Sequence, residues 1–356
     1  MIAQSPPTPS MNPLDPSEPL HPSHPAHPSH QLSASPPAHP ASHPHDRIVD
    51  HLKIDEAAER AKLVKNLRAT PASIEPKYFY DELGCALYAA ICQLDEYYPT
   101  RTERAIFQTY RNEIAEAIGK VDTFVDVGAG DCCKALSWLP FIEPARYLAV
   151  DIAGPSLESA LATMAPEFPD TEMLGLATDF SANLDIPGEL LTGRVTLFYP
   201  GSSIGNFTPD AAVLFLRQMR RYATGGLLIG VDAKKDKATL DAAYADSLGV
   251  TAAFNLNALR HINRVINSDF DEKKWRHVGQ YNAGLGRIEM HLQSIESQVV
   301  NIDGIARTYH ADERIHSENS YKYDEHEFTA MLGEAGFAEV RVWTDHERAF
   351  WVFYAA

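Results

Sequence analysis

Hydrophobic and polar positions along the chain fall into distinct textures. Residues 48–69 (IVDHLKIDEAAERAKLVKNLRA) set apolar side chains three and four apart among charges. That is the spacing of one helix face and predicts an amphipathic helix. The tyrosine-rich stretch PASIEPKYFYDELGCALYAAICQLDEYYPTRTE follows, with Pro99 expected to stop a helical run, and TRTERAIFQTYRNEIAEAIG predicts a further helix. From residue 121 the texture changes to short, uninterrupted apolar runs: TFVDVGAGD, RYLAVDIA, EMLGLATDF, VTLFYPGSS and GLLIGVDA. A run that is apolar at successive positions is buried on both faces, as parallel strands are. Helical or loop sequence such as PSLESALATMAPEF separates them. At the end, AEVRVWTD and FWVFYAA are joined only by HERA, too short a link for a parallel crossover, so this pair is expected to be antiparallel.

Strand and helix alternation of this kind predicts an α/β, Rossmann-like doubly wound sheet with an antiparallel terminal strand. The layout resembles that of class I methyltransferases. Between residues 234 and 322 the alternation breaks into a helical portion (TLDAAYADSLGVTAAFNLNALRHINRV) and strand-like segments (RIEMHLQSI, QVVNID). This insertion is expected to pack with residues 47–101 as an α+β substrate-binding lobe. The cofactor-binding sheet domain is then residues 102–233 with 323–356, and residues 1–46 form a tail.

Composition changes the picture mainly through that tail. It holds 13 of the 24 prolines and 7 of the 15 histidines, and no aromatic residue, Lys or Arg. Such a segment cannot bury enough apolar surface to offset its ordering entropy. Disorder with polyproline II character is expected, with His21, His24, His27 and His30 on one side of the three-residue turn. The tail has three acidic and no basic residues, so −14 of the formal charge of −17 stays on the body. A protein that grips phosphate backbones needs clustered Lys and Arg, and none is present. Nucleic acid is therefore not an expected partner, and a small-molecule substrate is. No run approaches 18 uncharged apolar residues, so no membrane span is expected. Cys85, Cys92, Cys132 and Cys133 form no disulfide framework and no C-x-x-C. A cytoplasmic, monomeric protein without a metal is expected.

The turn Val127-Gly128-Ala129-Gly130 follows the first sheet strand. Glycine lets the backbone turn tightly against a ligand. Ligands of open sheets bind beyond the carboxyl ends of the strands. Asp151 ends the second strand, where a carboxylate suits the two hydroxyls of a ribose, and Asp179-Phe180 ends the third, where they suit an adenine. Cys133 stands where a dinucleotide fingerprint has its third glycine. With the antiparallel end, that favours S-adenosylmethionine as co-substrate over NAD(P); a nicotinamide-dependent oxidoreductase is the reading from another class. The adjacent Cys132-Cys133 pair, beside this site, is expected to be sensitive to oxidation.

After the fourth strand comes Tyr199-Pro200-Gly201-Ser202-Ser203-Ile204-Gly205-Asn206-Phe207, without the Asp/Asn-Pro-Pro-aromatic motif of nucleobase amino-methyltransferases. Together with PKYFYDELG, EYYPTRTE, VDVGAGD, AYADSLGVTAAFN, RIEMHL and ENSYKY, this loop resembles the histidine Nα-methyltransferase family of the ergothioneine pathway. The resemblance spans roughly residues 75–356. It implies three successive methyl transfers onto the α-amino group of L-histidine, giving its betaine, hercynine. It further implies that Asn206 and Tyr244 hold the substrate carboxylate. Glu318 and Ser320 would recognise the imidazole, with Tyr97 as a further contact. Tyr80 would line the pocket through water and is a tentative catalytic group, Met290 would lie beside the ring, and Lys134 would meet the cofactor's carboxylate. Tryptophan or another amino acid is the alternative acceptor.

Overall fold

The computed structural model describes residues 48–51, 55–181 and 183–356. The tail and its histidine spacing lie outside the described residues. In chain order the strands are β1 (Ile48–Asp50), β2 (Ala72–Ser73), β3 (Thr123–Val127), β4 (Arg146–Asp151), β5 (Glu172–Ala177), β6 (Val195–Tyr199), β7 (Gly226–Asp232), β8 (Trp275–Asn282), β9 (Arg287–Ser294), β10 (Gln298–Ile302), β11 (Ile305–Tyr309), β12 (Arg314–Tyr321), β13 (Val340–Thr344) and β14 (Phe350–Ala355).

One sheet runs β1-β5-β4-β3-β6-β7-β14-β13. Its pairs are parallel except those made by β14, which runs antiparallel to both β7 and β13. The order reverses at β3, so chain leaving β3 turns one way to β4 and chain leaving β6 turns the other. This is the switch point at which open sheets bind ligands. The apolar runs serve two faces at once. Val125 and Val127 pack on one side with Leu148, Phe215 and Phe353, while Phe124 packs on the other with Tyr147, Phe198 and Trp138. A second sheet, β2-β12-β9-β8, covers another apolar cluster with Phe79, Phe254, Leu259, Trp275 and Met290. The two sheets meet where Tyr323 N–H donates to the Asp232 carbonyl at 3.1 Å.

Several local expectations are corrected. Residues 48–69 are not one helix. Ile48–Asp50 pair with the edge of β5, where Gly175 leaves room for the Ile48 side chain, and the helix is Glu56–Arg68, capped by Asp55 accepting from Ala58 N–H at 3.0 Å. Branched apolar residues at a free sheet edge outweighed the helical spacing. Pro99 does not stop a helix. The preceding helix already ends at Ile91, and Pro99 sits in the first turn of Tyr98–Thr109, where a missing N–H costs nothing. The helix expected from Thr100 onward breaks at Tyr110, whose φ of −105° and ψ of 17° leave the helical region, and resumes as Arg111–Ile118. The helical portion of the insertion is likewise two helices, Lys237–Tyr244 and Val250–Ile266. Gly249 turns between them at φ +74°, and Asp246 accepts from Val250 and Thr251 N–H at 2.9 and 2.7 Å.

Candidate active site

At the carboxyl ends of β3, β4 and β5 the site is built mostly from backbone. Gly128 and Gly130 lie at φ +72° and +55°, the left-handed region open to glycine. A Cβ on Gly128 would come within 3.3 Å of the Phe180 ring, whereas one on Gly130 would project into open space. Asp151 accepts from Gly130 N–H at 2.9 Å and from Ala153 N–H at 3.0 Å, which ties the glycine turn to the end of β4. Four acceptor positions on a carboxylate leave room for further hydroxyl donors. Phe180 meets Tyr199 edge-on, with centroids 6.3 Å apart. Asp179 forms an ion pair with Lys77 at 3.4 Å. Open space beside Gly130, spare acceptors on Asp151 and the Phe180 ring fit an adenosyl group. Lys134 donates to the buried Glu103 at 2.7 Å, and Glu103 also accepts from Gly201 N–H at 2.7 Å.

Cys132 is buried and burial pushes it up to about 12; burial and Asp131 also raise Cys133, which is exposed. A raised thiol holds less of the thiolate with which oxidants react.

Across from the glycine turn, a cleft opens between the sheet edge and the second sheet. Tyr80, Tyr97, Asn206, Tyr244, Met290, Glu318 and Ser320 all line it, though they span 240 positions of chain. Their convergence has local causes. Met290 and Glu318 are opposite partners of β9 and β12, and Ser320 is two residues on, so all three share one face. A bulge between His316 and Glu318 shifts the register and sets Glu318 on that face rather than on the face of His316. Gly205 brings the loop after β6 against β12, since a Cβ there would lie 2.7 Å from the Tyr321 carbonyl. Asn206 ends that turn with its side chain exposed, and the helix cap is Thr208, which accepts from Ala211 N–H. Tyr244 is anchored from behind. His277 Nε2 lies 2.7 Å from its carbonyl, which only accepts, so Nε2 carries the proton and Nδ1 accepts from Asn255 at 2.8 Å.

Glu318 is 9% exposed and no hydrogen bond to its carboxyl is found among the described residues. Burial pushes it up to about 7, against a lowering pull from Lys322. Burial also raises Tyr88, Tyr97 and Tyr244, so these hydroxyls stay protonated and serve as hydrogen-bonding groups. Tyr80, 36% exposed, meets Tyr88 and Phe254 edge-on at 5.8 and 5.7 Å.

Tyr88, Phe254, Asp232 and Lys322 also line the cleft and were missed by sequence reasoning. Two of them left a signal. Asp232 is the one charge closing the apolar run of β7, and Lys322 follows Ser320 by two positions. Among the described residues, no group of three or more His, Cys, Asp or Glu could hold a metal ion, and no helix is long and apolar enough to cross a membrane.

A doubly wound sheet with β14 as its antiparallel strand, a glycine turn after β3 and Asp151 closing β4 is the architecture of a class I methyltransferase. Within that class, a family model described as histidine-specific, S-adenosylmethionine-dependent methyltransferase matches residues 59–356, and the chain belongs to this family. The nicotinamide reading is thereby set aside. The chain is 37% identical over 309 residues to the histidine N-alpha-methyltransferase of Mycolicibacterium smegmatis, covering 84% of this chain and 95% of that one. It is 34% identical over 320 residues to the protein of the same name from Mycobacterium tuberculosis, covering 87% and 98%. It is also similar, at 26% identity over 320 residues and covering 80% and 90%, to a 4-dimethylallyltryptophan N-methyltransferase of Claviceps purpurea.

Proposed function

We propose that this enzyme methylates the α-amino group of L-histidine three times, yielding the trimethylated betaine. The observation that carries this reading is one cleft lined by Glu318 and Met290, opposite partners on β12 and β9, and by Asn206, Tyr244 and Ser320, whose Oγ lies 3.0 Å from Tyr244 Oη. The Glu318 carboxylate suits an imidazole N–H. The Asn206 amide and the Tyr244 phenol suit a carboxylate, and Ser320, hydrogen-bonded to Tyr244, stands with that end rather than with the imidazole for which the resemblance cast it.

S-adenosylmethionine, when bound, supplies a methyl group on a sulfonium sulfur. Gly128, Gly130, Asp151, Asp179 and Phe180 would hold it at the sheet edge. Lys134, paired with Glu103, would meet its carboxylate. Catalysis by the chain is then chiefly placement, since anchors at both ends of histidine hold the amine between them. Tyr97 adds a donor beside the ring, and Tyr80 a wall open to water. With its hydroxyl proton retained, Tyr97 orients rather than deprotonates. The lobe that binds the acceptor is residues 47–101 with 234–322, less the strand Ile48–Asp50, which pairs with β5 in the sheet of the cofactor domain, 102–233 with 323–356. We place the enzyme in the cytoplasm as a monomer.

The second reading is an indole acceptor, favoured by the Tyr80–Tyr88–Phe254 cluster beside the cleft and by the tryptophan-derivative enzyme among the relatives. Incubation with S-adenosylmethionine and either amino acid, followed by mass spectrometry, decides between them. Histidine gaining one, two and three methyl groups supports the proposal; gain on tryptophan alone overturns it.

A further inference from the structure

Behind Tyr244 and Ser320 lies a buried ionic network that the reading above does not use. The Lys322 side chain is 1% exposed, as is that of Asp232. Lys322 Nζ lies 2.7 Å from Asp232 Oδ2, donates to Tyr244 Oη at 3.0 Å and donates to Ser320 Oγ at 2.9 Å. Lys235 Nζ donates to Asp232 Oδ1 at 2.7 Å, to Tyr98 Oη at 2.6 Å and to the Ala233 carbonyl at 2.6 Å. Tyr98 donates to Asp232 at 2.7 Å. Each lysine therefore has three acceptors for the three protons of an ammonium. Besides Asp232, the carboxyl of Glu318, two residues along β12 from Ser320, lies within electrostatic reach of Lys322, and that of Asp345 within reach of Lys235.

The hydroxyl protons carry the argument further. An ammonium cannot accept, so Tyr244 Oη and Ser320 Oγ must both accept from Lys322. These two oxygens are 3.0 Å apart, close enough to share one hydrogen bond. One of the two hydroxyl protons fills that bond. The other has no place beside the lysine and is turned into the cleft.

We propose that Lys322 is a positioning residue that acts through Tyr244 and Ser320: it obliges this pair to present a donor to the cleft, where the acceptor's carboxylate takes it. The site is thereby selective for amino acids over the corresponding amines. The inference rests on the proposed amino-acid acceptor but not on its being histidine.

The test is a double-mutant cycle with Lys322→Met and Tyr244→Phe, reading the L-histidine dissociation constant by calorimetry together with KM and kcat. Lys322→Met leaves Asp232 paired with Lys235 and Tyr98, so the fold is retained; unchanged affinity for S-adenosylhomocysteine checks this. Lys322→Met is expected to weaken histidine binding about 10- to 100-fold, the effect of a lost hydrogen bond to a charged group, with a smaller change in kcat. In the Tyr244→Phe background the added loss is expected to be under about threefold, because coupled residues are not additive. Histamine, which lacks the carboxylate, is expected to bind the wild type at least about 10-fold more weakly than histidine and to lose under about threefold on Lys322→Met, having no carboxylate to take the donor that the pair presents. Equal losses in both backgrounds, equal losses for histidine and histamine, or a fall in kcat with KM unchanged would each overturn the proposal. If Lys322→Met does not fold, Lys322→Gln, which keeps a donor without charge, takes its place. The wild-type preference for histidine over histamine needs no variant, and equal binding overturns the proposal by itself. Failure of the histidine reading is seen separately, as absence of methylated histidine with the wild type; the cycle then runs on whichever amino acid is methylated.

Discussion

The two walls of the active site are made in different ways. The cofactor edge is a matter of backbone: two left-handed glycines, a carboxylate fastened to their amides and one aromatic ring, drawn from the ends of three successive strands. The acceptor wall is a matter of side chains gathered from the second sheet, several helices and the loop after β6, with a buried ionic layer behind them. A backbone site tolerates little change of conformation and holds what every enzyme of the class holds. A side-chain site changes specificity one residue at a time. The two walls should therefore answer mutation differently.

The largest effect is expected at the backbone wall. Gly128→Val forces a branched side chain into φ +72° and against Phe180. Strain of this kind, on the order of 1–3 kcal/mol before the steric contact is added, should weaken S-adenosylhomocysteine binding about 100-fold or more, measured by calorimetry, for any acceptor. Cofactor affinity within twofold of wild type would remove the distinction between the walls.

Next comes Asn206→Ala, which is expected to lower kcat/KM about 10- to 100-fold for every amino acid tried, from loss of a hydrogen bond to a charged group. Cofactor affinity should not move. A loss confined to histidine would place Asn206 at the imidazole end instead.

Glu318 sharpens the comparison, because one residue should change preference and stability in opposite senses. Glu318→Ala is expected to raise KM for histidine and to narrow its advantage over tryptophan, since a site built to hydrogen-bond a substrate penalises analogues that lack the group. Amino-acid panel kinetics check it, and an unchanged preference would sink the assignment. The pH dependence follows from burial, which lifts this carboxyl from an ordinary 4.5 to about 7. The folded chain holds a proton here between those values that the unfolded chain releases, so stability contributed by this group is full below 4.5 and declines as pH rises through 7. Glu318→Gln should thus stabilise the fold by up to about 3 kcal/mol above pH 7, and by nothing below 4.5, in urea unfolding at several pH values. The ionised form is the one that accepts from an imidazole N–H, so wild-type kcat/KM for histidine should fall as pH drops below 7 relative to that of Glu318→Gln.

The smallest effect is expected from deleting residues 1–46, whose composition is that of a segment outside any packed core. Methyl transfer should change by less than about twofold, as for segments too poor in apolar surface to pack. Loss of activity would give the tail a part in the site.

The sequence by itself determined the large sheet. Runs such as TFVDV and GLLIGVD are mostly apolar on both faces, and burial on both faces has few other solutions, so β3 to β7 and the β13–β14 pair were legible from pattern and link length alone. The glycine turn and Asp151 were legible too, because local backbone geometry dictates those residue types. The strand at Ile48–Asp50 was not, since three residues of an edge strand take their conformation from the partner, here β5 with its space at Gly175. Neither were Lys322 and Asp232. A charge two positions from Ser320 reads as solvated until the junction of the two sheets buries it and supplies its partners. Which tyrosines meet the cleft, and which way Glu318 faces after the bulge at His316, were likewise decided only by tertiary structure: a side chain's surroundings depend on chain hundreds of residues away, and a register shift of one position exchanges the two faces of a strand.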